Sequence, residues 1–313
     1  QKLPNTAATF NYVVNDIHPC YESDNTTYIF SSNPSLTCVL VYIFLGSLSV
    51  ATICGNLLVI TSIIYFKQLH TPTNYLILSL AVADLLVGVL VFPFSMVFTV
   101  TSCLYHEDLF CKIRDSFDVL LCTSSILNLC CISIDRYYAV CQPLTYRSKI
   151  NAHATVIMIM VSWGISVLIW YWYNNSDVLI ANTMGPVFSF YLPAIIMLCI
   201  YFKIFLVAQK QVNSIQSTKS GATVSRMERK ATKTLATVMG VFLLCLTPYF
   251  LCIVFQPLAY YPPPIPVTET LNWLALSNSM LNPLIYAFFY SWFRSALRII
   301  ISGKIFRERY YLS

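Results

Sequence analysis

The stretch "NYLILSLAVADLLVGVLVFPFSMVFTV", residues 74 to 100, carries one acidic or basic residue, Asp84. As an α-helix it would reach about 40 Å, more than the ~30 Å apolar thickness of a bilayer. Runs of the same kind fall at 37–66, 109–141, 153–173, 178–209, 228–256 and 266–290, which makes seven with 74–100. No alternating ten-residue segments of a membrane barrel interrupt them. The expectation is an all-α membrane protein, a seven-transmembrane helix bundle at 37–290. A tail at 1–36 precedes it, and a short amphipathic helix and tail at 291–313 follow. The composition agrees: 57% of the 313 residues are hydrophobic, 10% are charged, and the mean hydropathy is +0.67. That excludes an ordinary water-soluble domain.

Charge orients the bundle. All basic residues except Lys2, Lys112 and Arg114 collect on one side, which the positive-inside rule makes cytoplasmic. The N-terminus is then extracellular, as an odd number of spans requires. The net charge of +6 is this asymmetry and implies no nucleic-acid partner. The segment "QKLPNTAATF" has no apolar core, so no cleavable signal peptide is expected there. Asn25, in "NTT", is a glycosylation sequon on the outer side.

Ionisable groups within spans are expensive and so invite a functional reading. Asp84 lies mid-span, with Asn56, Asn278 and Asn282 at similar depth. These either enclose a Na⁺ ion or water, or hydrogen-bond the helices together. No other cofactor is expected. Prolines at 93, 193, 248 and 283 each remove a backbone hydrogen bond inside a span and predict kinks. At the outer end of the third span, "CKIRDSFDVLL" (111–121) sets Asp115 three residues before Asp118 on one helical face. Two carboxylates that close repel by about 3 kcal/mol at an effective dielectric of 20. They therefore call for a cation, supplied either by a visiting amine or diamine or by Arg114.

The motifs "GN" at 55–56, "LAVAD" at 80–84, "SIDRYYAV" at 133–140, Trp163, Pro193, "CLTP" at 245–248 and "NPLIY" at 282–286 resemble those of the rhodopsin-like (class A) G-protein-coupled receptors, in order and spacing. The runs "YFKQLHTPTNYLILSLAVAD" and "ERKATKTLATVMGVFLLC" are similar to the trace-amine-associated receptors. This resemblance implies a multi-pass plasma-membrane receptor, an olfactory role, a small cationic amine as ligand and a heterotrimeric G protein as partner. It implies that Asp118 pairs with the amine, and that Asp115, Val119, Cys122, Ser189, Tyr249, Phe250, Trp273 and Leu276 line the site. Asp135, Arg136, Tyr137, Glu228, Leu246, Pro248, Asn282, Pro283 and Tyr286 would form the switch and the G-protein socket, with Arg136 clasping Asp135 and Glu228 at rest. Two departures stand out: Leu246 replaces a tryptophan, and Leu276 replaces a tyrosine that would bond Asp118.

The resemblance also implies a disulfide from Cys111 to the loop between the fourth and fifth spans. No cysteine lies between Trp163 and Pro193, and little loop remains there. A loop segment missing near 173–177 is the expectation, with Cys20 another candidate partner for Cys111. A transporter or channel would show internal repeats or a polar pore stripe, and an enzyme a catalytic cluster; His18, His70, His106 and His153 all fall at span ends or in loops. The remaining alternative is a class A receptor whose ligand is not an amine.

Overall fold

The computed structural model describes residues 21–24, 27–30, 36–101, 108–215, 222–255 and 265–302. Strands β1 (Tyr21–Asp24) and β2 (Thr27–Phe30) pair antiparallel as a small hairpin. All else of regular structure is helical: α1 (Leu36–Tyr65), α2 (Pro72–Leu86, through Val87–Val91, to Phe92–Thr101), α3 (Asp108–Cys141), the short α4 (Pro143–Lys149), α5 (Ala152–Asn175), α6 (Val178–Pro186, through Val187–Tyr191, to Leu192–Ile215), α7 (Ala222–Phe255), α8 (Ile265–Phe289) and α9 (Ser291–Ile301). The seven long helices fall within a few residues of the runs read from sequence, except that α6 and α7 extend several residues further into the segment that joins them.

Local chemistry sets several boundaries. At the start of α2 the Thr71 side chain accepts from the Asn74 amide, and Pro72 occupies the first turn, where its missing N–H is no loss. Asn151 caps α5 in the same way, at 2.8 Å from the Ala154 amide. The predicted proline distortions take a specific form in α2 and α6. Just before Pro93 and Pro193 the helix widens into single π turns, where the Phe92 and Leu192 amides reach back five residues to the Val87 and Val187 carbonyls.

Among the described residues, α1, α2, α3, α5, α6 and α7 are long and apolar enough to cross a membrane. Helix α8 is as long but more polar, and it packs against α7 and α1. The outward faces are apolar, as at Met160, Leu168, Phe202 and Leu244, which suits a lipid surround. Inside, one core joins Ile77, Leu80, Ile126, Phe190, Met197, Phe242 and Leu246. Gly55 lets α1 approach α8 closely, because a Cβ there would meet Pro283 Cβ at 3.0 Å. Trp163 ties α5 to α2 by donating to Ser79 at 3.1 Å. Helix α9 is amphipathic as expected: Phe293 and Ala296 are buried, while Arg294 donates to the Phe288 carbonyl at the end of α8.

Candidate functional site

Three polar features lie in sequence along the bundle. At the end where α3 begins, a cavity of about 720 Å³ opens between α3, α5, α6, α7 and α8. Asp118, Asp115, Val119, Cys122, Ser189, Tyr249, Phe250 and Leu276, which the resemblance implies for the ligand site, all line it. Trp273 does not, and that expectation is corrected. The cavity face of α8 carries Glu269, Asn272 and Leu276, spaced three and four residues apart. Trp273 is turned about 100° from Asn272 and packs on Phe92 at 5.4 Å between ring centres.

Asp118 accepts from the Cys122 thiol, one turn on, at 3.0 Å. Leu276 offers it no hydroxyl. Arg114 Nη1 lies 3.6 Å from Asp115 Oδ1, an ion pair between neighbours at the cavity wall. The two differ in setting, since the Arg114 side chain is 10% exposed and that of Asp115 is 46% exposed at the rim. The cavity floor is aromatic and aliphatic: Phe250 stacks on Phe190 at 4.4 Å, and the buried Leu246 takes the place of the expected tryptophan. Glu269 lines the same cavity and was missed as a site residue. Its spacing of seven before Leu276 was the available signal, because that spacing keeps one helical face.

Midway, Asp84 is fully buried. Its Oδ1 accepts from the Ser125 and Ser279 hydroxyls, both at 2.8 Å, and its Oδ2 from the Asn282 amide at 2.7 Å. The expected partner Asn278 is buried but is not among these groups; the hydroxyl of the next residue, Ser279, turns to Asp84 instead. Asn56 binds the Ser279 carbonyl at 3.1 Å, which links α1 to the same cluster. The Oδ1 atoms of Asn56 and Asn128 are buried without a hydrogen-bond partner among the described residues. The Asp84 carboxylate with the Ser125 and Ser279 hydroxyls on it is an oxygen set of the kind a hard monovalent cation accepts. Among the described residues no group of three or more His, Cys, Asp or Glu side chains gathers for a metal.

At the far end, Asp135 is buried and bonded to Arg136. Thr73 stands between them, accepting from Arg136 and donating to Asp135 at 3.0 Å. Tyr146 of α4 donates to the other carboxylate oxygen at 2.9 Å. Burial pushes the Tyr146 hydroxyl above its ordinary range, so it remains a neutral donor near pH 7. Neither Thr73 nor Tyr146 was legible as a partner, because both arrive from other elements. Tyr137 lines a smaller hollow of about 280 Å³ with Cys141, Lys203 and Lys210. Pro248 and Pro283 lie within α7 and α8. Tyr286 is buried, edge-on to Tyr290 at 5.8 Å. The side chains of Glu228 and Cys111, and residues Cys20, Cys103 and Asn25, lie outside the described residues. The clasp to Glu228, the disulfide and the glycosylation expectations therefore rest on sequence.

Helices α5 and α6 are joined by Ser176 and Asp177 alone. A family model described as "7 transmembrane receptor (rhodopsin family)" matches residues 55–178 and, separately, 172–286. Its two pieces meet at this link, where a missing loop was expected. The chain is 42% identical over 302 residues to trace amine-associated receptor 1 of Macaca mulatta, a match covering 86% of this chain and 89% of the relative. It is 39% identical over 325 residues to trace amine-associated receptor 4 of Mus musculus, covering 94% of each. With trace amine-associated receptor 9 of Rattus norvegicus it shares 41% over 319 residues, covering 92% of this chain and 94% of the relative.

Proposed function

Because the chain belongs to the rhodopsin family of seven-transmembrane receptors, we propose that it is a receptor for small cationic amines, which pair with Asp118 and activate a heterotrimeric G protein. Its family is one of receptors, not of enzymes, and it is a multi-pass membrane protein. The distribution of Lys and Arg supports an extracellular N-terminus, with the Asp118 cavity opening outward and Arg136 at the cytoplasmic end.

One observation carries the amine reading. A part-buried carboxylate stands in the cavity wall, and among the described residues its hydrogen bond comes from a thiol, a weak donor. An ammonium ion there would replace a poor partner with a full charge, in a setting where Coulomb attraction exceeds its value in water several-fold. Tyr249 and Phe250 add aromatic faces, each attracting a cation by about 0.5–2 kcal/mol. The cavity volume suits a small molecule. The curated relatives are named for trace amines, in agreement with this site.

The test is a signalling assay with the chain expressed at the cell surface, comparing primary amines with alcohols of the same shape. Amines are expected to activate and the alcohols to fail. Equal responses to both would remove Asp118's charge from the account.

The oxygen set at Asp84 supports a further part of the reading: Asp84, Ser125, Ser279 and Asn282 would hold a sodium ion in the resting receptor. The ion would supply a positive charge that offsets the buried carboxylate. Replacing sodium by a bulky organic cation is expected to raise agonist affinity several-fold in membranes, and Asp84→Asn to abolish that sensitivity. Sodium dependence surviving in Asp84→Asn would refute the site.

A further inference from the structure

We propose that the hollow between the inner ends of α3 and α6 is a binding site for the headgroup of an anionic phospholipid, with Lys203 and Lys210 receiving its phosphate. The inference is independent of the amine reading of Asp118. It takes from the proposed orientation only that the leaflet concerned is the cytoplasmic one.

The sequence puts the two lysines on one stripe. Lys203, Leu206, Val207 and Lys210 follow at intervals of three, one and three residues, so a single face of α6 carries a cation at each end and two apolar side chains between. That face meets Tyr137 and Cys141, one turn apart on α3, and Gln142, which joins α3 to α4. Together they line a space of about 280 Å³.

The level is that of a headgroup. The apolar stretches of α3 and α6 end at Cys141 and Val207. Lys210 therefore lies about one turn beyond the hydrocarbon, and Lys203 about one turn within it, where a lysine extends its chain to hold the ammonium at the interface. Phe202, Phe205 and Leu206 are exposed on the adjoining surface of α6, a path for acyl chains leading up to the lysines.

Charge decides the occupant. Among the described residues the lining holds two cations and no carboxylate, and neither lysine makes an ion pair. Asp135, the last acid of α3, is buried and already held by Arg136, Thr73 and Tyr146. The Tyr137 hydroxyl lines the hollow as a further donor. Gln142 Oε1 accepts from the Thr145 hydroxyl at 3.3 Å, which leaves the amide nitrogen of Gln142 as a donor too. At this depth of a bilayer the group that calls for two cations and several donors is a lipid phosphate. An acidic segment of a soluble protein would match the charge, but not the exposed phenylalanines that continue the site into the hydrocarbon.

The test uses the intact receptor in detergent micelles, titrated with phosphatidylserine and separately with phosphatidylcholine, with bound lipid counted by native mass spectrometry. Wild type is expected to hold phosphatidylserine about tenfold or more tightly than phosphatidylcholine. Lys203→Gln with Lys210→Gln should lower the phosphatidylserine affinity about 10- to 30-fold and leave phosphatidylcholine within about twofold. Lys203→Arg with Lys210→Arg should keep most of it. Arg147→Gln with Lys149→Gln, which removes two exposed cations of α4 outside the hollow, should change it less than about threefold. Thermal unfolding of each variant should match wild type.

Equal losses from the α4 pair and the α6 pair would mean that the positive inner surface as a whole attracts the lipid, and would overturn the site. Glycerophosphoserine carries the same headgroup without acyl chains; competition by it at concentrations equal to the lipid's would make the occupant a free anion and overturn the lipid assignment. Unchanged phosphatidylserine binding in the Lys203 and Lys210 double variant would overturn it as well, and a loss of G-protein activation in that variant would then give the hollow to an acidic protein segment.

Discussion

Asp118→Asn is expected to cut the potency of every activating amine roughly 100- to 1,000-fold, about 3–4 kcal/mol, with surface expression unchanged. The substitution keeps the size of the side chain and removes only its charge. The Cys122 thiol can still donate to the new amide oxygen, so local packing should survive. What is lost is the attraction between an ammonium and a carboxylate partly sheltered from water. A ligand amine facing a neutral amide also meets the remaining cation, Arg114, with one counter-charge fewer. The loss should therefore exceed that of an ordinary surface ion pair, which is worth about 0–1 kcal/mol. Neutral ligands, if any activate, should lose little. A shift below threefold for amines would show that the charge does not act.

The second large effect belongs to the opposite end. Asp135→Asn is expected to raise ligand-independent signalling several-fold at matched expression. Asp135 is buried and holds Arg136, Thr73 and Tyr146 together, so it is the hub of the inner cluster. Removing its charge leaves Arg136 without its partner, and breaking one side of a buried ion pair costs about 3–5 kcal/mol. That penalty falls on the closed arrangement, whereas an arrangement that turns Arg136 toward a G protein escapes it. A change of a few kcal/mol moves a minor conformer from about 1% to the majority. Thr73→Ala and Tyr146→Phe each remove about 1 kcal/mol of hydrogen bonding and should give smaller rises. Basal signalling unchanged in Asp135→Asn would mean that the cluster does not hold the resting state.

The fold was legible because a membrane span must be both long and apolar, and residues such as 37–66 and 153–173 satisfy both with no competing pattern. Helix α8 was harder to read from apolarity alone. Of the polar groups that dilute it, Glu269, Asn272, Ser279 and Asn282 are those it turns toward the cavity and the α2 carboxylate. The π turns before Pro93 and Pro193 could not be read beyond a kink, since proline removes a donor without saying how the preceding turn will re-bond. At the sites, residues with a strong local signature were found: Asp118 by its pairing with Asp115 on one helical face, and Asp135–Arg136 by their motif. Errors arose from one-residue rotations on α8. Trp273 and Asn278 sit beside Asn272 and Ser279, and a 100° step separates lining the site from packing behind it. Partners that come from distant sequence, Thr73 for Arg136 and Ser279 for Asp84, depend on how helices face each other, which no local pattern records.

Activation turns on where the positive charge of an amine comes to rest. The most direct measurement is a structure of the intact receptor with an activating primary amine bound. A cationic nitrogen within about 3–4 Å of the Asp118 carboxylate is the predicted result. Asp118 bonded to Arg114, with no ligand nitrogen beside it, would contradict the account at its base.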